Sequence, residues 1–115
     1  MLMEMSHTEI APGKVVITLA GKLMMGLESE KIVTLVEDLL RQGKRTIIFD
    51  LSGVVAIDST GIGRCISSLN RVTQAGGTLH MAGAKGQVRE SFRVTRLDRV
   101  FRFFVDVPTA LAAFG

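Results

Sequence analysis

The segment at residues 46–51 (TIIFDL) restricts the possible folds most strongly, because it is apolar at nearly every position. Strands with one solvated face alternate apolar and polar residues, whereas strands covered on both faces appear as continuous apolar runs. We therefore predict that residues 46–51 form a central strand of a largely parallel sheet. Such a strand requires other elements to pack on both sides of the sheet.

Amphipathic segments alternate with strand-like segments along the rest of the chain. Apolar residues recur every three or four positions in residues 27–42, which predicts a helix over this segment, stopped by Gly43. A second helix is predicted after Asp58. The other predicted elements are a hairpin of residues 7–11 and 15–20 joined by Pro12 and Gly13, strands at 78–82 and 100–105, and helices at 86–95 and 109–114. This order predicts an α/β fold, with a mixed and mostly parallel sheet of about five strands packed by about four helices.

Length and composition indicate a single domain. The chain has 115 residues, of which 47% are hydrophobic, so we expect one packed domain over residues 1–115 with a frayed segment at 1–6. Apolar runs fall far short of the roughly 18–20 residues of a membrane-spanning helix, and the beginning of the chain does not resemble a secretory signal. We therefore expect a cytoplasmic protein without membrane insertion.

Residues 57–63 (IDSTGIG) contain the most informative polar group of the chain. A strand-to-helix turn here would expose the hydroxyls of Ser59 and Thr60 beside free backbone N–H groups, which favour an anion such as a phosphate. However, Asp, Ser and Thr are also ordinary N-cap residues, and Gly is common in tight turns. The residues alone leave both interpretations open.

Other chemistries receive little support from the sequence. A serine-hydrolase elbow needs Gly two positions before the nucleophile, where this chain has Ile57. His80 is expected on a strand as a satisfied or exposed structural histidine, and Cys65 on the inward face of a helix as a small apolar group. The two histidines and the single cysteine show no metal-ligand spacing. We therefore predict no catalytic residues, no metal and no cofactor.

Five arginines crowd the later part of a chain whose net charge is +3: Arg89, Arg93, Arg96, Arg99 and Arg102. They are interpreted as a solvated surface, or alternatively as a surface for an acidic protein partner or anionic lipid. Nucleic acid is not predicted as a partner, because the stretch has no aromatic stacking pattern and no recognition-helix motif.

Four segments resemble, in order, the landmarks of STAS domains: residues 21–23 (GKL), 47–54 (IIFDLSGV), 57–63 (IDSTGIG) and 97–101 (LDRVF). The resemblance covers nearly the whole chain and is greatest to bacterial anti-sigma factor antagonists. It implies a binding switch without enzymatic activity. In that family the unmodified antagonist binds an anti-sigma factor that is also a serine kinase; the kinase phosphorylates the antagonist, and a serine phosphatase reverses the modification.

The resemblance also implies the residues of the switch. The phosphoacceptor is Ser59, oriented by Asp58 and shaped by Thr60, and the predicted partner-binding set is Asp58, Ser59, Thr60, Gly61, Ile62, Gly63, Met24 and Met25. The family often has an acidic residue where this chain has Met24, so kinase recognition is altered here or the two methionines serve as apolar filler. An alternative function is a STAS scaffold of a stress-signalling complex, or an accessory subunit of a lipid transporter. The oligomeric state stays open, a homodimer included.

Overall fold

The computed structural model describes residues 3–114, which form a five-stranded sheet in the order β1-β2-β3-β4-β5. The strands are β1 (Glu4–Ala11), β2 (Lys14–Leu23), β3 (Thr46–Ile57), β4 (Thr78–Ala82) and β5 (Phe103–Phe104), and the helices are α1 (Leu27–Arg41), α2 (Ser59–Gln74), α3 (Gly86–Val94) and α4 (Val107–Ala112). β1 and β2 form an antiparallel hairpin, and all other neighbours are parallel. The predicted fold class is confirmed.

The sheet separates two apolar layers of unequal size. Side chains of β2 and β3 at alternate positions, such as Ile17 and Phe49, pack with α1, α2 and α3 in the larger core. The intervening residues Val16 and Ile48 pack on the opposite face against Ala110 of α4. β3 is therefore covered on both faces, as its continuous apolar sequence predicted.

β3 is longer than the predicted strand and extends almost to the start of α2. Beyond Leu51 it continues to Ile57, paired with β2 through two shifts in register. One shift lies beside Gly53, where a Cβ atom would be only 3.0 Å from the Cβ of Ala20. Ser52 and Gly53 are therefore part of an irregular strand, which local periodicity did not reveal.

The C-terminal part of the chain differs from its prediction in two places. Residues 100–105 were predicted as a strand, but β5 contains only Phe103 and Phe104, because a 3-10 turn at Leu97–Arg99 precedes it and Phe101 is buried. The last helix begins at Val107 and not at Thr109, with Asp106 as its N-cap. The first correction reflects tertiary packing that overrides the local pattern, whereas the second follows from the local cap that Asp106 forms with the Thr109 N–H.

The N-terminal end of the described chain is more regular than expected. Residues 1–6 were expected to be frayed, yet Glu4, Met5 and Ser6 pair with β2 as the first residues of β1. The predicted turn at Pro12 and Gly13 joins the two strands, with Gly13 at a φ of 76°. Residues 1 and 2 lie outside the described residues.

Within residues 3–114, the longest helices are too short and too polar to cross a lipid bilayer.

Candidate functional site

The candidate site is the turn from β3 into α2, at the carboxyl end of the parallel strands. Asp58 is the N-cap of α2: its backbone is extended, and its Oδ1 accepts a hydrogen bond from the Gly61 N–H at 2.8 Å. This bond satisfies one of the backbone donors that a helix start leaves free. The interpretation of Asp58 as an ordinary N-cap residue is therefore confirmed.

The same carboxylate joins the turn to the segment between β2 and α1. Its Oδ2 accepts a hydrogen bond from the Met25 N–H at 3.0 Å. Hydrogen bonds from Gly61 and Met25 stabilise the charged form, so they lower the pKa of Asp58 against a smaller opposing effect of burial. Asp58 is therefore an ionised link between two chain segments that lie 33 positions apart.

Gly61 allows the start of α2 to approach the end of β2 closely. A Cβ atom at this position would be 2.1 Å from the Leu23 carbonyl oxygen and 2.8 Å from the Ile57 side chain. Any larger residue would therefore displace the backbone of the turn. Gly61 is itself buried, so it shapes the turn and presents no exposed surface of its own.

Ser59 is the first residue of α2 and is exposed. Within residues 3–114, its hydroxyl makes no hydrogen bond. It is not needed as a helix cap, because Asp58 supplies the cap. Thr60, Ile62 and Gly63 are half-buried in the first turns of the helix. The hydroxyl of Ser59 therefore has no role in maintaining the fold and points to no internal partner.

The Met25 N–H bonds to Asp58, which places the predicted Met24 and Met25 at this turn, and two exposed apolar residues that the sequence analysis missed lie on the flanking elements. Met24 is half-buried, whereas 80% of Met25 is exposed. Leu27 at the start of α1 and Val55 near the end of β3 are also exposed, at 74% and 59%. The unusual exposure of large apolar side chains is visible only once the elements are assembled.

Gln87 at the start of α3 is a further residue that the sequence did not indicate. Its side-chain Oε1 accepts a hydrogen bond from the Ile57 N–H at 2.9 Å, and its Nε2 donates to the Ile57 carbonyl at 3.1 Å. Ile57 directly precedes Asp58. The local sequence around a polar residue in the first turn of a helix does not predict a contact of this kind with a distant strand.

The remaining candidate residues lie away from the turn or inside the fold. Cys65 is buried, which raises the pKa of its thiol to about 12, in agreement with the predicted apolar role. His80 was expected to be satisfied or exposed, but it is buried and stacks on Phe114 at 4.3 Å, and within residues 3–114 its Nδ1 has no hydrogen-bond partner. Packing of α4 on the sheet explains this difference.

The five arginines do not form one open surface. The guanidinium carbon of Arg89 lies 4.2 Å from the ring centre of Phe103, and that of Arg102 lies 4.9 Å from Phe104. Arg93 forms an ion pair with Glu90. Three of the five are thus occupied by contacts within the protein, which favours the interpretation as a solvated and partly structural surface.

Comparisons with known proteins agree with this architecture. The profile of the STAS domain matches residues 6–110. A protein of Thermotoga neapolitana, whose name proposes an anti-sigma factor antagonist, is 28% identical over 75 residues, which span 65% of this chain and 66% of that protein. The chain thus spans just under two thirds of this relative's length.

Solved structures share the fold at low sequence identity. A crystal structure from Thermotoga maritima, also named as a proposed anti-sigma factor antagonist, has a TM-score of 0.85 at 22% identity and covers 95% of this chain and 92% of its own. The phosphorylated form of the Bacillus cell fate determinant SpoIIAA has a TM-score of 0.77 at 19% identity, covering 97% and 100%. Since the family profile matches almost the whole chain, this protein belongs to the STAS domain family.

Proposed function

We propose that this protein is an anti-sigma factor antagonist that binds an anti-sigma factor with serine kinase activity and releases it when Ser59 is phosphorylated. A serine phosphatase would restore binding. The protein would act as a binding module in the cytoplasm and not as an enzyme. The relatives named as antagonists support the general function.

The exposed and unbonded hydroxyl of Ser59 is the observation that carries the proposal. Asp58 and Gly61 hold the turn in place without it, so a kinase could modify the hydroxyl without breaking a contact of the fold. Met25, which is 80% exposed and bonded to Asp58, supplies apolar surface beside the turn of the kind that a protein partner buries.

The charge of a phosphate is sufficient to reverse binding. Phosphorylation adds about 1.5 to 2 negative charges near neutral pH. Two unit charges about 4 Å apart near a protein surface interact with about 4 kcal/mol. A loss of affinity of a hundred- to a thousandfold requires about 2.7 to 4.1 kcal/mol. One phosphate placed against an acidic or desolvated part of the partner can therefore end the interaction, and no rearrangement of the antagonist is required.

The proposal is tested with the purified chain, a candidate anti-sigma factor kinase from the same organism, and ATP. Mass spectrometry locates any phosphate, and calorimetry compares the kinase affinities of the wild type, Ser59→Ala and Ser59→Asp. We expect phosphate on Ser59, constitutive binding of Ser59→Ala, and binding of Ser59→Asp weakened at least about tenfold.

Thr60→Ala is the matched control, because it removes the neighbouring hydroxyl of the same turn. It should still accept phosphate at Ser59 and bind like the wild type. Phosphate on Thr60 alone, or equal affinities of the wild type and Ser59→Asp, would refute the proposed switch. Equal affinities would leave the STAS scaffold as the better explanation.

A further inference from the structure

The side-chain amide of Gln87 replaces a missing strand beside the end of β3. Pairing of β3 with β4 ends at Asp50, opposite Ala82, whereas β3 itself continues to Ile57. Within residues 3–114, this leaves the last part of β3 with a strand on one side only. The N–H and carbonyl of Ile57 face α3, and both are bonded by the amide of Gln87, at 2.9 and 3.1 Å.

The two bonds require a group with one donor and one acceptor at a fixed spacing. A neighbouring strand offers such a pair to its partner residue, and a glutamine amide offers the same pair from a side chain. Gln87 is itself held in place, because its Nε2 also donates to the Ser91 hydroxyl at 2.7 Å, and that hydroxyl donates to the Gln87 carbonyl at 2.9 Å. α3 therefore presents the amide in one orientation.

Ile57 connects Gln87 to the turn, because it is bonded by Gln87 and directly precedes Asp58. On the other side of the same peptide unit, the Asp58 N–H donates to the Leu23 carbonyl at 3.2 Å. The buried Ile57 side chain lies under Gly61, where an added Cβ would meet it at 2.8 Å. The peptide before Asp58 is thus fixed between β2 and α3, and Ser59 follows only two positions after Ile57.

We propose that Gln87 is a positioning residue, which holds the turn in the geometry that presents the Ser59 hydroxyl. The expected effect on the rate of phosphate transfer rests on the proposed function. The effect of Gln87 on the geometry of the turn does not. Gln87 touches neither the hydroxyl nor a reacting atom. It acts through Ile57.

The structural part is tested by NMR on ¹⁵N-labelled protein without any partner. Gln87→Leu removes both bonds to Ile57 while keeping a side chain of similar size. We expect the Ile57 amide to exchange with solvent at least about tenfold faster, since loss of one or two net hydrogen bonds allows easier opening. Relaxation of the Asp58, Ser59 and Thr60 amides should show new exchange broadening. The Met81 amide, bonded to Arg102 in the sheet, should be unchanged.

Two further variants separate positioning from general stability. Gln87→Glu keeps an acceptor for the Ile57 N–H but has no donor for its carbonyl at neutral pH, so its Ile57 exchange rate should lie between those of the wild type and Gln87→Leu. Ser91→Ala removes the support of the amide but leaves both bonds to Ile57 available. Its exchange rates at Ile57 and Ser59 should stay within about threefold of the wild type.

The consequence is tested by the initial rate of phosphate transfer to Ser59 from the kinase and ATP. Gln87→Leu should be at least about fivefold slower than Ser91→Ala. Unchanged Ile57 exchange in Gln87→Leu would overturn the inference, and so would faster exchange with an unchanged transfer rate. If the wild type accepts no phosphate, the proposed function fails, while the exchange and relaxation measurements still decide the role of Gln87.

Discussion

Replacing Asp58 tests whether this carboxylate maintains the turn as the structure indicates. Asp58→Ala removes the N-cap bond to Gly61, which is worth about 0.5–2 kcal/mol, typically about 1. It also removes the bond to the Met25 N–H. Since Met25 is exposed, water can take over that donor, and the loss lies near the lower end of the 0.5–1.5 kcal/mol of a net hydrogen bond. We expect the free energy of unfolding to fall by about 1–2.5 kcal/mol.

Urea unfolding followed by far-UV circular dichroism measures this change, because the chain has no Trp or Tyr to serve as a fluorescent probe. With about 2.1 cal/mol/K of unfolding entropy per residue, 115 residues give a shift in Tm of about 4 °C per kcal/mol. Asp58→Ala should therefore melt about 4–10 °C below the wild type.

Asp58→Asn separates the cap from the charge. Asn caps helices as well as Asp, so its oxygen can keep the bond to Gly61, but its amide nitrogen would face the Met25 N–H. We expect about half the loss of Asp58→Ala. The lowered pKa of Asp58 adds stability above the unfolded value near 3.9, and this stability is lost as the pH falls through the folded pKa. The difference between wild type and Asp58→Asn should therefore shrink below about pH 4.

Asp106→Ala is the matched control, since Asp106 caps the distant α4 through the Thr109 N–H at 2.9 Å. It should lower stability by about 1 kcal/mol without affecting the amide signals of residues 57–63. The reasoning would be refuted if Asp58→Ala unfolded within about 0.3 kcal/mol of the wild type. It would also be refuted if Asp58→Ala and Asp106→Ala disturbed the turn equally.

Two other substitutions test the packing around the turn and beneath α4. Gly61→Ala places a Cβ against the Leu23 carbonyl and should cost about 3 kcal/mol of unfolding free energy, the upper part of the usual range for overpacking. Gly63→Ala, with open space around its Cβ, should gain about 0.5–1 kcal/mol. Equal effects of the two substitutions in thermal melts would contradict the close approach. Burial lowers the pKa of His80, and the charge of Arg102 lowers it further. Stability should therefore fall as the pH drops below the unfolded value near 6.5. His80→Phe should remove that pH dependence, and an unchanged slope of stability between pH 7 and 5 would show that His80 is not its source.

The fold was largely predictable because its main elements follow local patterns. The continuous apolar run of residues 46–51 indicated a strand covered on both faces, and the period of residues 27–42 indicated α1 to within one residue of its end. The hairpin turn at Gly13 has the positive φ that its sequence suggested. Each of these features is determined by residues close together in the chain.

Most of the errors lie where distant residues decide the structure; the start of α4, set by the local Asp106 cap, is the exception. The extension of β3 to Ile57 depends on pairing with β2, and the shortened β5 depends on burial of Phe101 beside Phe92 at 5.6 Å between ring centres. At the site, Asp58 was predictable as a cap from its position before a helix. Its bond to Met25 and the amide pair between Gln87 and Ile57 were not, because they join residues 33 and 30 positions apart.

Under the proposed function, the division of roles within the turn would allow Ser59 to be modified without loss of the fold. A negative group at a helix start gains about 0.3–1 kcal/mol from the helix dipole. A unit negative charge about 4 Å from the Asp58 carboxylate is repelled by about 1 kcal/mol if water surrounds both groups. These terms are similar in size and opposite in sign, so a phosphate on Ser59 should leave the stability of the turn nearly unchanged. A partner that displaces this water lacks the compensation, and for it the repulsion increases as the local dielectric constant falls. The same charge can therefore be tolerated by the free protein and excluded by the complex.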